Sequence, residues 1–452
     1  MEQQASFHAL TIRHDVCVGC SHCMKVCPTS ALRVKEGRAM LYPDRCVSCG
    51  ECYRVCPSRA IVVEDDDFNR IYDYKYRIVL IPSVFFGQFN EQISPEEINS
   101  ILLDLGFTDV CRVEHTVSVL MEEIRKYIPS HELPVISSFC PAVVRLIQVN
   151  FPALTGNIMR LKQPLEITTL YLQQHYIHEK NAKLEEIGIF YITPCAAKIA
   201  SIKAPVGESG SSVTGIINMK NLYNRVYQAY KQKKTPSALS DTPQISAKEM
   251  KWTLTGGEAE SLTGFRCLAV DGLHNVIDIL ERLENDEITG IDYLELRVCD
   301  ESCPGGILIH GNRFLTAERI RRLAEKSSVE NATTDRYHHY LEQNMPVGEI
   351  KPRAMIQYDR DIAKALKKME QARLLRKQLP GIDCGACGAP SCEALADDIV
   401  CGLALPDSCI FAQTQHQKDG TLSMETAITI RERIWGIDRL KKNPPESINE
   451  ND

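Results

Sequence analysis

Cys17-Val18-Gly19-Cys20-Ser21-His22-Cys23-Met24-Lys25-Val26-Cys27-Pro28 is answered, beginning at Cys46, by Cys46-Val47-Ser48-Cys49-Gly50-Glu51-Cys52-Tyr53-Arg54-Val55-Cys56-Pro57. In both, the cysteines stand two, two and three residues apart, and proline turns the chain away after the fourth. A short self-similar pair of this kind means a duplicated unit. These eight belong to a total of 19 cysteines. Five more lie between Cys384 and Cys409, and only six occupy the long stretch between the two blocks. The count is odd, and the start Met1–Leu10 lacks the charged-then-apolar order of an export signal. Both features argue against a secreted disulfide scaffold and for reduced thiolates that hold metal.

The rest of the composition is that of a globular protein: 452 residues, 44% hydrophobic, 25% charged and a formal net charge of -7. That length suits two or three domains. The mild acidity gives no electrostatic reason to expect nucleic acid or an anionic membrane surface. No apolar run approaches the ~18 residues of a membrane span. The expectation is therefore a cytoplasmic protein without a membrane span and without a nucleic-acid partner.

The middle of the chain alternates strand-like and helical patterns. Apolar runs at Ile78–Ile81, Leu133–Ser137, Ile187–Ile192, Cys267–Val270 and Tyr293–Val298 read as strands. Ser94, Pro95 and Glu97 form a capping box with proline at the first helical position. Further helical patterns cover Lys220–Gln232, Asn275–Leu283 and Thr316–Lys326. This alternation predicts an α/β domain with mainly parallel sheets, whose ligands gather beyond the carboxyl ends of the strands. Three strands run into cysteines there: Cys140, Cys195 and Cys299. The pattern divides the chain into 1–72, 73–350, a connecting segment 351–380, a cysteine module 381–412, and 413–452 with one helical stretch and a polar, disordered tail. In the connecting segment Ile362, Ala365, Leu366, Met369, Ala372 and Leu375 recur at helical spacing, a stripe expected to pack on the middle domain. Gly207–Ser212 reads as a flexible loop.

The repeated cysteine run is that of bacterial dicluster ferredoxins, in which three cysteines clamp one 4Fe-4S cube and the fourth ligates the other. Cys17, Cys20, Cys23 and Cys56 are then one ligand set, and Cys46, Cys49, Cys52 and Cys27 the second. Paired structural zinc is the competing reading, but zinc has no use for this run twice over. Cys384, Cys387, Cys392 and Cys409 resemble the small four-cysteine Fe-S domain of several anaerobic redox proteins, with zinc a more serious rival. Gly385 and Gly388 are expected to turn amides toward cluster sulfurs, and Cys401 to be a spare buried thiol. Cys111 and Cys267 read as inert buried thiols.

The middle cysteines lie in three motifs: Ser137-Ser138-Phe139-Cys140-Pro141, Thr193-Pro194-Cys195-Ala196-Ala197-Lys198, and Glu295-Leu296-Arg297-Val298-Cys299 followed by Cys303-Pro304-Gly305-Gly306. With Pro82-Ser83, Thr255-Gly256-Gly257 and Ala269–Leu273, and behind a dicluster module, they resemble the catalytic domain of [FeFe]-hydrogenases over about residues 76–345. The resemblance implies a 4Fe-4S cube on Cys140, Cys195, Cys299 and Cys303, with Cys303 bridging to a two-iron unit that carries CO and cyanide. It implies that Lys198 donates to one cyanide and that Ser83 lies near the other. The fold so implied is multidomain α/β: an N-terminal dicluster ferredoxin domain, a central hydrogenase-like domain, and a small helical C-terminal Fe-S domain.

The departures from that family point to function. Phe139 stands where the family's proton-transferring cysteine precedes the first ligand, and a phenyl ring carries no proton. Glu123 with Lys126 is the best match to the paired glutamates of the relay. Ser201 replaces a glutamate, Thr193 and Arg297 replace pocket methionines, and Leu165 stands in place of a glutamine beside Gln163-Pro164. The electron route looks intact and the proton route dismantled, which resembles the divergent sensory branch of the family. The expectation is a low-turnover H2 or redox sensor in an anaerobic bacterium, with an H-cluster-like site wired to three further 4Fe-4S clusters. The alternatives are an active hydrogenase (2 H+ + 2 e- to H2 and back) and a cubane-only electron-transfer or scaffold protein. Expected partners are ferredoxin or another redox protein, a downstream kinase or phosphatase, H2 and protons, and maturation factors if the two-iron unit is present.

Overall fold

The computed structural model describes residues 7–232, 245–329 and 337–437. The N-terminal module is built on two small antiparallel pairs. β1 (Leu10–Ile12) would stand alone without β4 (Ile61–Val63), which pairs with it so that Leu10 faces Val63. Between them, β2 (Leu32–Lys35) and β3 (Arg38–Leu41) form a hairpin. Its two turn residues, Glu36 and Gly37, both have positive φ, at 51° and 69°, as a twist-matched two-residue hairpin turn requires. The cysteine runs lie outside these strands, each with one short helix, His22–Lys25 and Glu51–Val55.

Two parallel sheets carry the central domain. One has the order β6-β5-β8-β9, from β5 (Tyr76–Ile81), β6 (Asp109–Arg112), β8 (Ile187–Thr193) and β9 (Gly215–Asn218). The other has the order β10-β11-β7, from β7 (Val135–Ile136), β10 (Cys267–Asp271) and β11 (Tyr293–Arg297). All seven residues of β8 are buried, as a strand covered on both faces demands. β6 and β9 were not legible in the sequence; four residues each, they are strands because long neighbours offer them an edge. The Ser94 capping box forms as expected, on the helix Pro95–Asp104.

The acidic run does not merely close the first module. Asp66 and Asp65 accept the amides of Ile216 (2.8 Å) and Asn218 (3.1 Å) on the edge strand β9, and Asp66 also pairs with Lys203. The first module is thus bonded to the central sheet.

The segment after residue 350 departs from expectation. Its helix, Ile362–Gln378, packs on the helix Cys392–Val400 of the last module, not on the middle domain. Ala372 is the buried contact; Ile362, Leu366 and Met369 face solvent. The module as a whole docks on the N-terminal hairpin: Val34 donates to the Gly388 carbonyl at 2.9 Å, and Gly37 donates to the Ile434 carbonyl at 3.0 Å. The final helix runs over Met424–Trp435, and Trp435 donates to the Ala386 carbonyl at 2.9 Å. The expected polar tail lies outside the described residues. Among the described residues no helix is long and apolar enough to cross a membrane.

Candidate functional site

In the N-terminal module the two cysteine runs produce two matching environments. Ala31 and Ala60 donate their amides to Cys27 and Cys56 at the same 3.2 Å, and Thr29 and Ser58 hydroxyls lie 3.7 Å from the same two sulfurs. Backbone amides also reach Cys17 (from Ala39, 3.4 Å) and Cys46 (from Ser48, 3.4 Å). Amides aimed at sulfur stabilise thiolates and tune the potential of a cluster they hold.

The fields at the thiols show which cysteines are neighbours. Burial pushes Cys23 up to about 12, and the thiolates of Cys20, Cys17 and Cys56 add to it. Burial likewise raises Cys49, with Cys27 and Cys46 adding. Cys52 is raised by burial and then by Cys49, Cys46, Cys27 and, across the module, Cys23. The fourth cysteine of each run therefore sits with the first three of the other. Four thiolates crowded together in a buried place repel one another, and a cationic cluster core relieves that repulsion.

The second group stands at the carboxyl ends of the parallel strands. Cys140 follows β7 and caps the helix Pro141–Asn150, and Cys195 follows β8 and caps Ala196–Lys203. Helix N-termini at both positions favour an anionic occupant. Cys299 follows β11, and Cys303 opens a short turn. Burial raises Cys299, Arg54 opposes, and Cys195, Cys140 and Cys303 add. The Cys299–Cys303 loop is tight and strained: Glu301 and Ser302 take φ of 60° and 57°. Gly306 is required there, because a Cβ would lie 2.5 Å from the Pro194 carbonyl, and one at Gly305 would strike that of Asp300.

Phe139 belongs to the apolar cluster against which Cys303 packs. Its ring lies between two cations, 3.8 Å from the Arg297 guanidinium and 4.1 Å from Lys198 Nζ, with Trp252 edge-on at 6.2 Å. Lys198 donates to the Phe139 carbonyl (3.3 Å) and to Gln163 (3.2 Å). Burial lowers its pKa, against the pull of Cys303, Cys195 and Cys140.

Arg297 is more than a side chain in place of a methionine. It pairs with Glu258 and with Glu295 at 3.3 Å, all three buried. Burial works to lower its pKa, but the two carboxylates outweigh this and hold it above its ordinary value. Glu295 accepts the amides of Gly256, Glu258 and Ala259, while Glu258 accepts from Ser137 and Tyr293. Gly256 of the Thr255-Gly256-Gly257 motif thus helps to anchor Glu295, one of the two carboxylates that hold Arg297. Thr255 also bonds Asp271 at 2.6 Å, which joins it to the Ala269–Leu273 motif.

Several buried donors in this region have no partner among the described residues: Arg297 Nη1, Trp252 Nε1, Thr253 Oγ1 and Ser302 Oγ. All belong to residues around the Cys303 loop; the Cys303 amide itself donates to the Thr253 carbonyl at 3.2 Å. Buried orphan donors cost free energy unless an acceptor meets them.

Ser83 follows the carboxyl end of β5, with its amide on Glu114 at 2.8 Å and its hydroxyl accepting from Arg112 at 3.3 Å. Burial pushes Glu114 up to about 7, with Arg112 opposing, and drags Arg112 down to about 10. Neither Glu114 nor Glu258 was singled out from the sequence. A lone glutamate beside an arginine carries no signal of burial.

The other matched positions behave differently. Glu123 and Lys126 are at the surface, where Lys126 also meets Glu342 at 2.8 Å, so they form a solvated ion cluster and not an internal relay. Thr193 ties the Cys195 turn through its hydroxyl. Ser201 bonds the Lys198 carbonyl at 2.9 Å, and Leu165 is core. The Gly207–Ser212 loop is not loose: Glu208 pairs with Lys162, and Ser211 and Ser212 hold Glu166.

In the last module burial pushes Cys387 up to about 11, with Cys384 and Cys409 adding. Cys392 opens its helix and donates its amide to Asp383 at 2.6 Å. Gly388 does not aim its amide at sulfur; that amide bonds the Gly385 carbonyl at 3.0 Å, and the residue serves instead as the contact with β2. Cys401 is half-buried, and its charged neighbours are Lys368, Asp397 and Asp398, not the other cysteines.

A Cβ on Gly385 would lie 3.1 Å from Met24 Cε, next to Cys23. Cys23 and Cys52 sense each other. Cys49 packs on the same apolar cluster as Cys140 and Cys195.

Comparison with known proteins assigns each module. Residues 75–226 match the family model of the iron-only hydrogenase large subunit, C-terminal domain. Residues 16–61 match a 4Fe-4S dicluster domain, and 379–411 an Fe-S cluster domain. A curated relative comes from the Na(+)-translocating ferredoxin:NAD(+) oxidoreductase complex of Acetobacterium woodii, one of whose subunits is 49% identical over 49 residues. That match spans 10% of this chain and only 15% of the relative. Similar solved structures include [FeFe]-hydrogenase HydA1 of Chlamydomonas reinhardtii, at 13% identity and TM-score 0.46, over 64% of this chain and 97% of that one. A structure describing oxygen inactivation of an [FeFe]-hydrogenase matches at 14% identity and the same TM-score, over 64% and 97%.

Proposed function

The chain belongs to the [FeFe]-hydrogenase family as a divergent member, and from that premise we propose an iron-sulfur redox protein that senses H2 or redox state with slow turnover. We assign one 4Fe-4S cluster to Cys17, Cys20, Cys23 and Cys56 and a second to Cys46, Cys49, Cys52 and Cys27. A third takes Cys140, Cys195, Cys299 and Cys303, and a fourth Cys384, Cys387, Cys392 and Cys409. The grouping of thiolates and the amides on their sulfurs support these sets.

The residues around Cys303 fit a two-iron unit bearing CO and cyanide, because orphan donors there await acceptors. Such a group, when bound, supplies the open metal position at which H2 and protons interconvert. Cys303 would hold it, with Lys198 as the cation beside it and Ser83 as a second polar group. Phe139, a buried ring, supplies no proton.

The observation that carries the sensor reading is the Phe139 ring clamped between Arg297 and Lys198. A general acid–base relay contributes about 10²–10⁴-fold, so its loss slows turnover without abolishing it. The series of clusters still offers an electron path, and a change of redox state at Cys303 reaches the far module through it. The readout partner is a kinase or phosphatase, the electron partner a ferredoxin-like carrier, and the setting the cytoplasm of an anaerobic bacterium.

The test is infrared spectroscopy after anaerobic maturation with the cognate factors. CO and cyanide stretches with low H2 turnover are expected; their absence under proper maturation overturns the reading. A second reading, a cubane-only electron-transfer protein, is favoured by the bulk of Arg297 against Phe139. Iron content separates the two, about 16 atoms per chain for four cubes against about 18 with the two-iron unit.

A further inference from the structure

The helix Ile362–Gln378 has two faces. One packs on the helix Cys392–Val400, with Ala372 buried in the contact and Lys368 tied to Asp359 at 3.1 Å. The other carries Ile362, Leu366 and Met369, which are 79%, 56% and 51% exposed. These stand at i, i+4 and i+7, so they form one apolar stripe along the helix. Basic side chains crowd that stripe. Residues 360–377 hold seven basic and two acidic residues, a net of +5 on a chain whose formal charge is -7. Arg373 is paired with Glu370 at 2.9 Å, and Arg376 with Glu393 at 2.6 Å. Lys364, Lys367 and Lys377 form no ion pair among the described residues.

We propose that this helix face docks on an anionic lipid surface, lying in the plane of the headgroups and holding the last module against a membrane. Both parts that such binding needs are in place. The stripe can enter the headgroup boundary, and the unpaired lysines have stems long enough to carry their ammonium groups to lipid phosphates. Charge argues against a second copy as occupant, since two such helices laid face to face would set +5 against +5. The same charge attracts an anionic surface, and the negative remainder of the chain is screened beyond about 8 Å at physiological salt. The helix is already held by its other face, so docking requires no folding. Attachment is peripheral, because no helix among the described residues can cross a membrane. The inference does not depend on which clusters the cysteines hold.

The experiment uses the full chain with its metal in place and vesicles of phosphatidylglycerol and phosphatidylcholine in equal parts. The chain is expected to sediment with them, to be released as salt rises, and to ignore vesicles of phosphatidylcholine alone. The K364E/K367E/K377E variant is expected to weaken binding by about tenfold or more, and I362S/L366S/M369S likewise, with iron content unchanged in both. Should either variant lose iron or fail to fold, acetylation of the wild-type chain decides. The mixed vesicles should then shield Lys364, Lys367 and Lys377, and phosphatidylcholine alone should not. No binding to the mixed vesicles, or binding that both variants retain, overturns the proposal. So does a wild-type dimer that I362S/L366S/M369S dissolves, which would make the stripe an interface between copies. Shielding of the three lysines by a poly-glutamate peptide but not by vesicles overturns it too, in favour of an acidic protein.

Discussion

Arg33 on the N-terminal hairpin holds Asp398 of the last module in a two-point ion pair, Nε to Oδ2 at 2.5 Å and Nη2 to Oδ1 at 3.1 Å, with both side chains almost fully buried. The partners are 365 positions apart in the chain. Their pairing seats the last cysteine module on the dicluster module, where Gly385 meets Met24.

Breaking one side of a buried pair leaves an uncompensated charge, a cost of about 3–5 kcal/mol. Asp398→Ala should therefore lower the denaturant midpoint and free the last module for proteolysis between residues 351 and 380. The double change Arg33→Met with Asp398→Leu should cost less than Asp398→Ala alone. Equal costs would show that the pair does not hold the module.

Phe139→Cys should raise H2 turnover of the matured protein, by up to about 10²–10⁴-fold if the broken relay is the limiting defect. It should also lower stability by about 3 kcal/mol, since a packed ring is lost between two cations. No gain in turnover would mean that Arg297 and Thr193 limit the pocket instead.

Two neighbours give opposite pH slopes. His115 is buried and pushed down to about 4, first by burial and then by His175. It stays neutral when folded, while the unfolded chain protonates it near 6.5, so its contribution is complete above about 6.5 and is lost as pH falls toward 4. Glu114 is pushed up to about 7 by burial. Its contribution is complete below about 4.5 and is lost as pH rises toward 7. Between pH 5 and 6.5 the two oppose. Glu114→Gln should unmask a stability that rises with pH, and His115→Gln one that falls with pH, read from urea midpoints. Parallel slopes in the two variants would contradict these environments.

Cys384→Ser should remove about four irons per chain and the signals of one cluster, and Cys401→Ser should remove none. Cys401 has Lys368 and Asp397 for neighbours, whereas Cys387 has Cys384 and Cys409. Iron analysis and low-temperature EPR check both. Iron loss in Cys401→Ser would exchange the two assignments.

Much of the fold and of the site is legible in the residues alone, and the reason is local. In a cysteine run spaced two, two and three residues apart and ended by proline, the first three cysteines are neighbours in space because they are neighbours in sequence, and the fourth joins the other run. Long strands such as β8 are likewise self-declaring, because a fully buried strand needs an unbroken apolar run. The short strands β6 and β9 are not, since each depends on a neighbour for its hydrogen bonds.

The sequence by itself determined which cysteines act together in each run, where the parallel strands end on Cys140, Cys195 and Cys299, and that position 139 carries a ring. Only the tertiary structure decided what surrounds them. It buried Arg297 against Glu258 and Glu295, turned Lys198 toward Phe139, exposed Glu123 and Lys126, and seated the last module on the hairpin through Arg33 and Asp398. The physical reason is distance along the chain. A thiolate loop or a capping box is written within a few residues, whereas a buried charge is stable only beside a partner brought from tens or hundreds of residues away, and nothing in either short stretch names the other.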